Sequence, residues 1–198
     1  MNLRVGYIWP NTTVLGPGNR YVIWTQGCHR RCFRCASPEL QSLERGTVKG
    51  VEQLANDICA TAGVVGITIS GGEPLLQQEA LSEMLSLVER QRPELTVILF
   101  SGYLIEEIMN IEQCTILDQI DLLIDGEYID EQNREDIGLR GSINQKFHFL
   151  TDRLLPNKEE IIAGPRRREL HMIGEYELFT IGIPPRRKVQ NNILTEMR

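Results

Sequence analysis

Short apolar segments that end at glycine or serine alternate with amphipathic segments along most of this chain. Residues 50–61, 77–90 and 104–111 place apolar side chains at the spacing of one helix face. Such alternation predicts an α/β protein whose parallel strands are joined by crossover helices. Because parallel strands present their carboxyl ends at one edge, the polar residues there are expected to form one site. The strand-like segments are residues 21–26, 66–70, 95–100 and 121–124.

The pattern changes beyond residue 150. Residues 169–173 and 177–183 predict a β-hairpin that ends before Pro184. We therefore divide the chain into a core domain, residues 1–150, and a C-terminal hairpin extension and tail, residues 151–198. The core has 12 basic and 20 acidic side chains, and the extension has 9 and 7. The basic clusters 166–168 and 186–188 are interpreted either as a solvated face or as a docking surface for a protein partner. Alternatively, the hairpin beside them covers the exposed sheet edge or only caps the core.

Composition and charge argue against several classes of protein. The net charge of −6 lacks the basic excess typical of nucleic-acid binders. No run of apolar residues is long enough to span a membrane. The apolar stretch at the N-terminus is short and meets Pro10, unlike a signal peptide. A cytoplasmic protein that binds neither nucleic acid nor membrane is expected.

Three of the five cysteines, Cys28, Cys32 and Cys35, lie within eight residues at the spacing C-x₃-C-x₂-C. Three thiolates on a four-iron cluster leave one iron open for chemistry, and the neighbouring arginines are expected to lower the thiol pKa values. The alternative is a structural zinc site with a histidine, such as His29, as fourth ligand. Cys59 and Cys114 lie in helix-like surroundings and are interpreted as core residues.

The cysteine spacing, directly after a strand, resembles the signature of the radical S-adenosylmethionine (SAM) superfamily. Gly71-Gly72-Glu73-Pro74 matches the GGEP motif of that superfamily. Residues 16–20, GPGNR, are similar to a segment of glycyl-radical-enzyme activating enzymes. Asp125-Gly126 and residues 140–145, RGSINQ, most closely resemble the small activating subunit of anaerobic ribonucleotide reductase. The likeness covers roughly residues 3–150.

The resemblance implies an open, TIM-like (β/α) barrel of about six parallel strands, with the predicted hairpin as an addition. It also implies a [4Fe–4S] cluster on Cys28, Cys32 and Cys35 that cleaves SAM reductively to a 5′-deoxyadenosyl radical. No catalytic side chain beyond the cluster is required. The residues expected to contact SAM are Gly71, Gly72, Glu73, Pro74, Ser101, Asp125, Arg140, Ser142 and Asn144.

Three functions follow from these observations. The first is an activating enzyme that generates a glycyl radical on a partner protein and takes its electron from a flavodoxin or ferredoxin. The second is a radical SAM enzyme that modifies a peptide or small molecule, which stays open because Ser37 replaces the asparagine common in activating enzymes. The third is a non-catalytic iron–sulfur binding module.

Overall fold

The computed structural model describes residues 1–112, 114–173 and 177–186 and contains nine strands and four α-helices in that part of the chain. No helix among these residues is long and apolar enough to cross a bilayer. The strands are β1 (Asn2–Thr12), β2 (Arg20–Thr25), β3 (Thr47–Gly50), β4 (Gly66–Gly71), β5 (Thr96–Phe100), β6 (Leu122–Asp125), β7 (Lys146–Phe149), β8 (Glu169–Ile173) and β9 (Glu177–Ile181). The helices are α1 (Val51–Ala60), α2 (Gln78–Gln91), α3 (Ile105–Met109) and α4 (Lys158–Ala163).

Seven strands form one open sheet in the order β3-β1-β2-β4-β5-β6-β7, and β8 and β9 pair as a separate antiparallel hairpin. The α/β class and the C-terminal hairpin are thereby confirmed. The expectation of about six parallel strands was wrong, because only β2, β4, β5 and β6 are parallel. Strands β1, β3 and β7 run antiparallel to their neighbours. The β1–β2 connection, residues 13–19, is too short for the crossover that parallel neighbours need.

One face of the sheet is covered by the helices that follow its strands. Tyr21 and Ile23 of β2, and Ile67 and Ile69 of β4, point to this face because alternate residues of a strand share a side. They pack against the apolar faces of α1 and α2, which supply Val51, Leu54, Ala55, Ile58, Leu81, Met84, Leu85 and Val88. Cys59 and Cys114 are partly buried against the same core, consistent with their interpretation.

The opposite face is covered by residues from the C-terminal part of the chain. Leu154 and Ile161 pack against Ile98, Leu122 and Ile124 of β5 and β6. Ile181 of β9 is fully buried with Val22 of β2 and Leu15. Both faces of the central strands are therefore apolar, as parallel strands buried on both sides require.

Arg20, the last residue of the GPGNR segment, is fully buried at the start of β2. Its guanidinium donates to the carbonyls of Ile67 (2.6 Å) and Thr96 (2.9 Å) and to the Thr68 hydroxyl (2.7 Å). Burial lowers its pKa to about 9, and the Asp121 charge opposes this shift. The segment thus joins the amino-terminal ends of β4 and β5.

Candidate active site at the strand ends

An open cavity with about 880 Å³ of empty space lies at the carboxyl ends of the four parallel strands. The segments that follow these strands line the cavity, and the three clustered cysteines share this lining with the glycines of the GGEP motif. The prediction that the cysteine loop and this motif share one rim is therefore confirmed. The lining comprises Leu15, Trp24, Cys28, Arg30, Cys32, Cys35, Ala36, Ser37, Ser70, Gly71, Gly72, Glu73, Phe100, Ser101, Gly102, Gly126, Tyr128, Gly141, Gln145, Gly182, Ile183 and Pro184.

The cysteine loop has an unusual backbone that turns its thiols towards this cavity. Arg31 (φ 50°) and Arg34 (φ 53°) adopt the left-handed conformation that non-glycine residues rarely use. Each directly precedes a cysteine of the motif. The amide of Cys35 donates to the carbonyl of Cys32 (3.2 Å) and tightens the turn between them. Such backbone strain is commonly found at functional sites.

One thiol of the loop accepts a backbone hydrogen bond. The amide of Ser37 donates to Sγ of Cys35 (3.4 Å). Burial raises the pKa of the Cys32 and Cys35 thiols, and the neighbouring cysteines add to the effect. The expectation that nearby arginines lower these pKa values was wrong for Cys32 and Cys35.

The arginine charges are committed to other partners. The Arg30 guanidinium lies 4.1 Å from the Tyr103 ring centroid and 2.7 Å from Oε2 of Glu107. Arg34 Nη1 lies 3.4 Å from Oδ2 of Asp130. These pairs place the positive charge against carboxylates, so desolvation dominates the pKa shifts of the thiols.

The donor set fits an iron–sulfur cluster better than a zinc ion. His29, the proposed fourth zinc ligand, is exposed and is not part of the cavity lining. The three thiols instead line a wide cavity, and Sγ of Cys35 accepts a backbone hydrogen bond, an interaction that tunes cluster potentials.

Gly71 and Gly72 pack tightly against the end of β2. A Cβ atom on Gly71 (φ 117°) would lie 2.3 Å from the Thr25 amide nitrogen, and one on Gly72 would lie 2.2 Å from the Gly27 carbonyl oxygen. The Gly72 amide donates to the carbonyl of Thr25 (2.8 Å). Both glycines were expected to contact SAM. The lack of a side chain at each position also lets the ends of β4 and β2 meet.

Glu73 is buried, and its carboxylate accepts three hydrogen bonds. Oε1 accepts from the Leu75 amide (3.1 Å) and the Ser101 hydroxyl (2.9 Å), and Oε2 accepts from the Gly102 amide (2.7 Å). Burial raises its pKa although these bonds and Arg30 oppose the shift. Glu73 therefore fastens the end of β4 to the end of β5. Pro74, which was expected to contact SAM, is outside the cavity lining and begins the short 3₁₀ turn Pro74–Gln77.

Of the next two residues expected to contact SAM, one lines the cavity and the other holds neighbouring elements in place. Ser101 lines the cavity. Asp125 does not; its Oδ2 accepts from the Ile105 amide at the start of α3 (2.7 Å) and lies 3.0 Å from Nε2 of His148. Asp125 thus positions α3 and β7.

The RGSINQ segment, residues 140–145, is a turn that bonds to itself and to residues 126–129. Gln145 Oε1 accepts from the Gly141 amide (2.7 Å), and its Nε2 donates to the Gly126 carbonyl (2.7 Å). Arg140 donates to the Gln145 carbonyl (2.8 Å). Ser142 accepts from the Ile129 amide, and Asn144 donates to the Glu127 carbonyl. Arg140, Ser142 and Asn144 support the cavity from outside its lining, which this segment reaches through Gly141 and Gln145.

Sequence reasoning missed several lining residues. Trp24 and Phe100 stand at or next to the ends of β2 and β5 and have the strand alternation that turns them away from the helices. Arg30 lies within the cysteine motif, and Tyr128 follows Asp125-Gly126. Their positions at strand ends could have identified them. No local signal identifies Gly182, Ile183 and Pro184, which reach the cavity from the C-terminal extension.

The first basic cluster of the extension is bound to the protein itself. Arg166 donates to Oδ1 of Asn133 (2.6 Å) and to the carbonyls of Arg140 and Gly141, and burial lowers its pKa. Arg168 pairs with both carboxylate oxygens of Glu135 (2.8 Å each). The interpretation of these two arginines as a freely solvated face is therefore wrong. Because both already bind groups of the same chain, they are less available to bind a protein partner. In the second cluster, residues 187 and 188 lie outside the described residues.

Comparison with known proteins agrees with this geometry. A family model described as a 4Fe-4S single cluster domain matches residues 14–148. The anaerobic ribonucleoside-triphosphate reductase-activating protein of Enterobacteria phage T4 is 34% identical over 73% of this chain and 93% of its own length. The protein of that name from Haemophilus influenzae is 32% identical over 71% of this chain and 94% of its own.

A pyruvate formate-lyase-activating enzyme of Staphylococcus epidermidis is 40% identical over a shorter region, 36% of this chain and 31% of its own length. The matches thus extend to two kinds of protein that are named as activators of other enzymes. They agree with the resemblance inferred from the cysteine, GGEP and RGSINQ motifs. The chain therefore belongs to the 4Fe-4S single cluster domain family, alongside these activating proteins.

Proposed function

We propose that this protein is a radical SAM activating enzyme of the cytoplasm. Its substrates are SAM, one electron from a flavodoxin or ferredoxin, and a partner protein on which it generates a glycyl radical. The observation that carries the proposal is the convergence of Cys28, Cys32 and Cys35 with the ends of four parallel strands on one cavity. The core domain, residues 1–150, would carry the chemistry, and Gly182, Ile183 and Pro184 of the extension, residues 151–198, would complete the cavity.

Cys28, Cys32 and Cys35 would hold the cluster, which supplies the electron that breaks a carbon–sulfur bond of SAM. That cleavage yields methionine and a 5′-deoxyadenosyl radical, which removes a hydrogen atom from the partner. The left-handed residues before Cys32 and Cys35 orient their thiols, and the amide of Ser37 stabilises charge on Sγ of Cys35.

The other strand ends would hold SAM beside those thiols. Gly71, Gly72 and Ser101 present backbone groups and a hydroxyl to the cavity, and Glu73 fixes the distance between these two loops. Trp24 and Phe100 supply apolar wall that limits the entry of water. Asp125, Arg140, Ser142 and Asn144 would act by positioning the strand ends.

The direct test is SAM cleavage by anaerobically reconstituted protein with dithionite as reductant. The expected result is 5′-deoxyadenosine and methionine in equal amounts, with the product abolished in Cys28→Ala, Cys32→Ala and Cys35→Ala. Cys59→Ala and Cys114→Ala are the matched controls, because both thiols lie in the core away from the cavity. A cluster-loaded protein that binds SAM but never cleaves it would leave the non-catalytic binding module as the better description.

A second enzymatic function, modification of a peptide or small molecule, has one observation in its favour. Ile183 and Pro184 occupy part of the cavity wall, which narrows the approach for a large partner. Identification of the hydrogen donor separates the two functions. An electron paramagnetic resonance signal from a carbon-centred glycyl radical on a co-purifying protein supports activation, whereas a modified small product supports the alternative.

A further inference from the structure

The segment that follows the hairpin forms one wall of the cavity that the three cysteines line. Gly182 follows β9 directly, and Gly182, Ile183 and Pro184 all line the cavity. Gly182 (φ 119°) has no room for a side chain, because a Cβ atom would lie 2.6 Å from the carbonyl oxygen of Arg167. This turn directs the chain from the hairpin into the cavity.

The hairpin is fixed on one side to the strands β1 and β2. The Phe179 ring lies 5.3 Å from Tyr7, 5.6 Å from Trp9 and 6.3 Å from Trp24, measured between centroids. Ile181, two residues further, is fully buried in the same cluster. Aromatic packing of this kind adds to the free energy gained from apolar burial. The inner face of the hairpin is therefore an integral part of the core.

On its other side, the same segment is fixed to the loop between β6 and β7. Asn133 Nδ2 donates to the carbonyl of Pro184 (3.2 Å), and Arg168 Nε donates to the carbonyl of Ile183 (2.8 Å) while also pairing with Glu135. The segment therefore bridges strands from opposite halves of the open sheet. It crosses the gap that an unclosed sheet would leave beside the cavity.

A buried carboxylate connects this segment to the cysteine loop. Asp130 is 1% exposed, and its Oδ2 lies 3.3 Å from Nε of Arg186 and 3.4 Å from Nη1 of Arg34. Its Oδ1 accepts from the Tyr128 hydroxyl (3.0 Å). Because Arg34 lies between Cys32 and Cys35, the position of the C-terminal segment is coupled to the loop that would hold the cluster.

We propose that Ile183 and Pro184 form a selectivity wall that determines which part of a substrate reaches the radical. This proposal rests on the proposed function and concerns residues beyond the family match, which ends at residue 148. The wall is held on both sides, so it limits the size of the polypeptide segment that can reach the cysteine loop and excludes a folded surface. Arg186 fastens the wall through Asp130.

The test measures access to the cluster in the full-length, anaerobically reconstituted protein. The probe is the bulky anionic iron chelator bathophenanthroline disulfonate, and the readout is the rate at which the coloured iron complex appears. Ile183→Ala shortens an apolar side chain of the wall. Arg186→Ala removes the ion pair with Asp130 that holds the wall in place. Both are expected to accelerate iron extraction by roughly threefold or more, because local opening governs access.

Arg167→Ala is the matched control, because this exposed arginine of the same extension lies 3.7 Å from Glu160 and is not among the residues that line the cavity. Its extraction rate should stay near that of the parent. Equal rates of iron extraction in the parent and the three variants, at equal iron loading and equal thermal stability, would contradict the proposed wall. If Ile183→Ala does not fold, Arg186→Ala decides, since its half-exposed side chain can be removed without opening a cavity.

A parallel assay of 5′-deoxyadenosine separates this inference from the proposed function. Faster extraction without SAM cleavage in any variant supports the wall and contradicts the enzymatic function. Cleavage in the parent with unchanged extraction supports the function and contradicts the wall. Where no cluster forms, alkylation of Cys28, Cys32 and Cys35 by iodoacetamide, with Cys59 and Cys114 as internal references, gives the same comparison of access.

Discussion

The two faces of the central sheet are closed in different ways. On one face, α1 and α2 follow their strands directly, and apolar residues spaced along each helix cover Ile23, Ile67 and Ile69. On the other face, cover comes from Leu154, Ile161 and Ile181, far along the chain from the strands they protect. The first arrangement builds a core, whereas the second also leaves a cavity at the strand ends. The helix-covered face of the sheet thus contributes mainly to stability, whereas the face covered by the C-terminal segments also forms part of the cavity.

The largest loss of stability is expected at the end of β4, where the GGEP motif begins. Gly71→Ala forces a Cβ to within 2.3 Å of the Thr25 backbone at a positive φ, so unfolding free energy should fall by about 3 kcal/mol or more. Gly50→Ala is the matched control, because no atom lies within 4 Å of a Cβ there. Chemical denaturation measures both. Similar stabilities for the two variants would contradict the packing assigned to the motif.

The next prediction compares the two covers directly. Leu99→Ala opens the helix-covered face, and Ile181→Ala opens the face covered by the hairpin; both side chains are fully buried. Each should lower unfolding free energy by about 2–4 kcal/mol. A loss below about 0.5 kcal/mol for Ile181→Ala alone would show that the extension is only loosely attached to the sheet.

The smallest effect concerns the carboxylate that fastens two strand ends. Because burial raises the pKa of Glu73, the folded state binds its proton more tightly than the unfolded state does. Protonated Glu73 therefore stabilises the fold at low pH, and this contribution is lost as pH rises through the folded pKa. Glu73→Gln should lack this pH dependence, as unfolding measured across that range would show. An identical slope in both proteins would contradict the buried, ionisable role.

The sequence predicted the helix-covered face well because its signals are local. The helix expected at residues 50–61 is Val51–Ala60, and the strand expected at 66–70 is Gly66–Gly71. The strand β1 was not recognised, because Pro10 and Asn11 interrupt its pattern where the register with β2 shifts. Proline lacks an amide hydrogen and is tolerated at such irregular positions.

The candidate site was only partly predictable for a related reason. The cysteines and the GGEP glycines form recognisable motifs directly after predicted strands. Because parallel strands end at one edge of the sheet, the strand pattern predicted that the two motifs lie close together. Arg140, Ser142 and Asn144 were expected to contact SAM, but their side chains bond to nearby backbone groups. This arrangement depends on Gln145, which folds back on the Gly141 amide. The wall of Ile183 and Pro184 arises from contacts with Asn133 and Arg168, and periodicity does not reveal contacts between distant segments.

The most direct test of the central claim is the metal content of protein prepared without oxygen, with Mössbauer spectroscopy to identify the cluster. The parent should hold about four irons and four sulfides per chain as a [4Fe–4S] cluster, and Cys32→Ala should hold no stable cubane. Cys114→Ala should match the parent, because that thiol packs against the core. One zinc per chain and no iron in the parent would contradict the account.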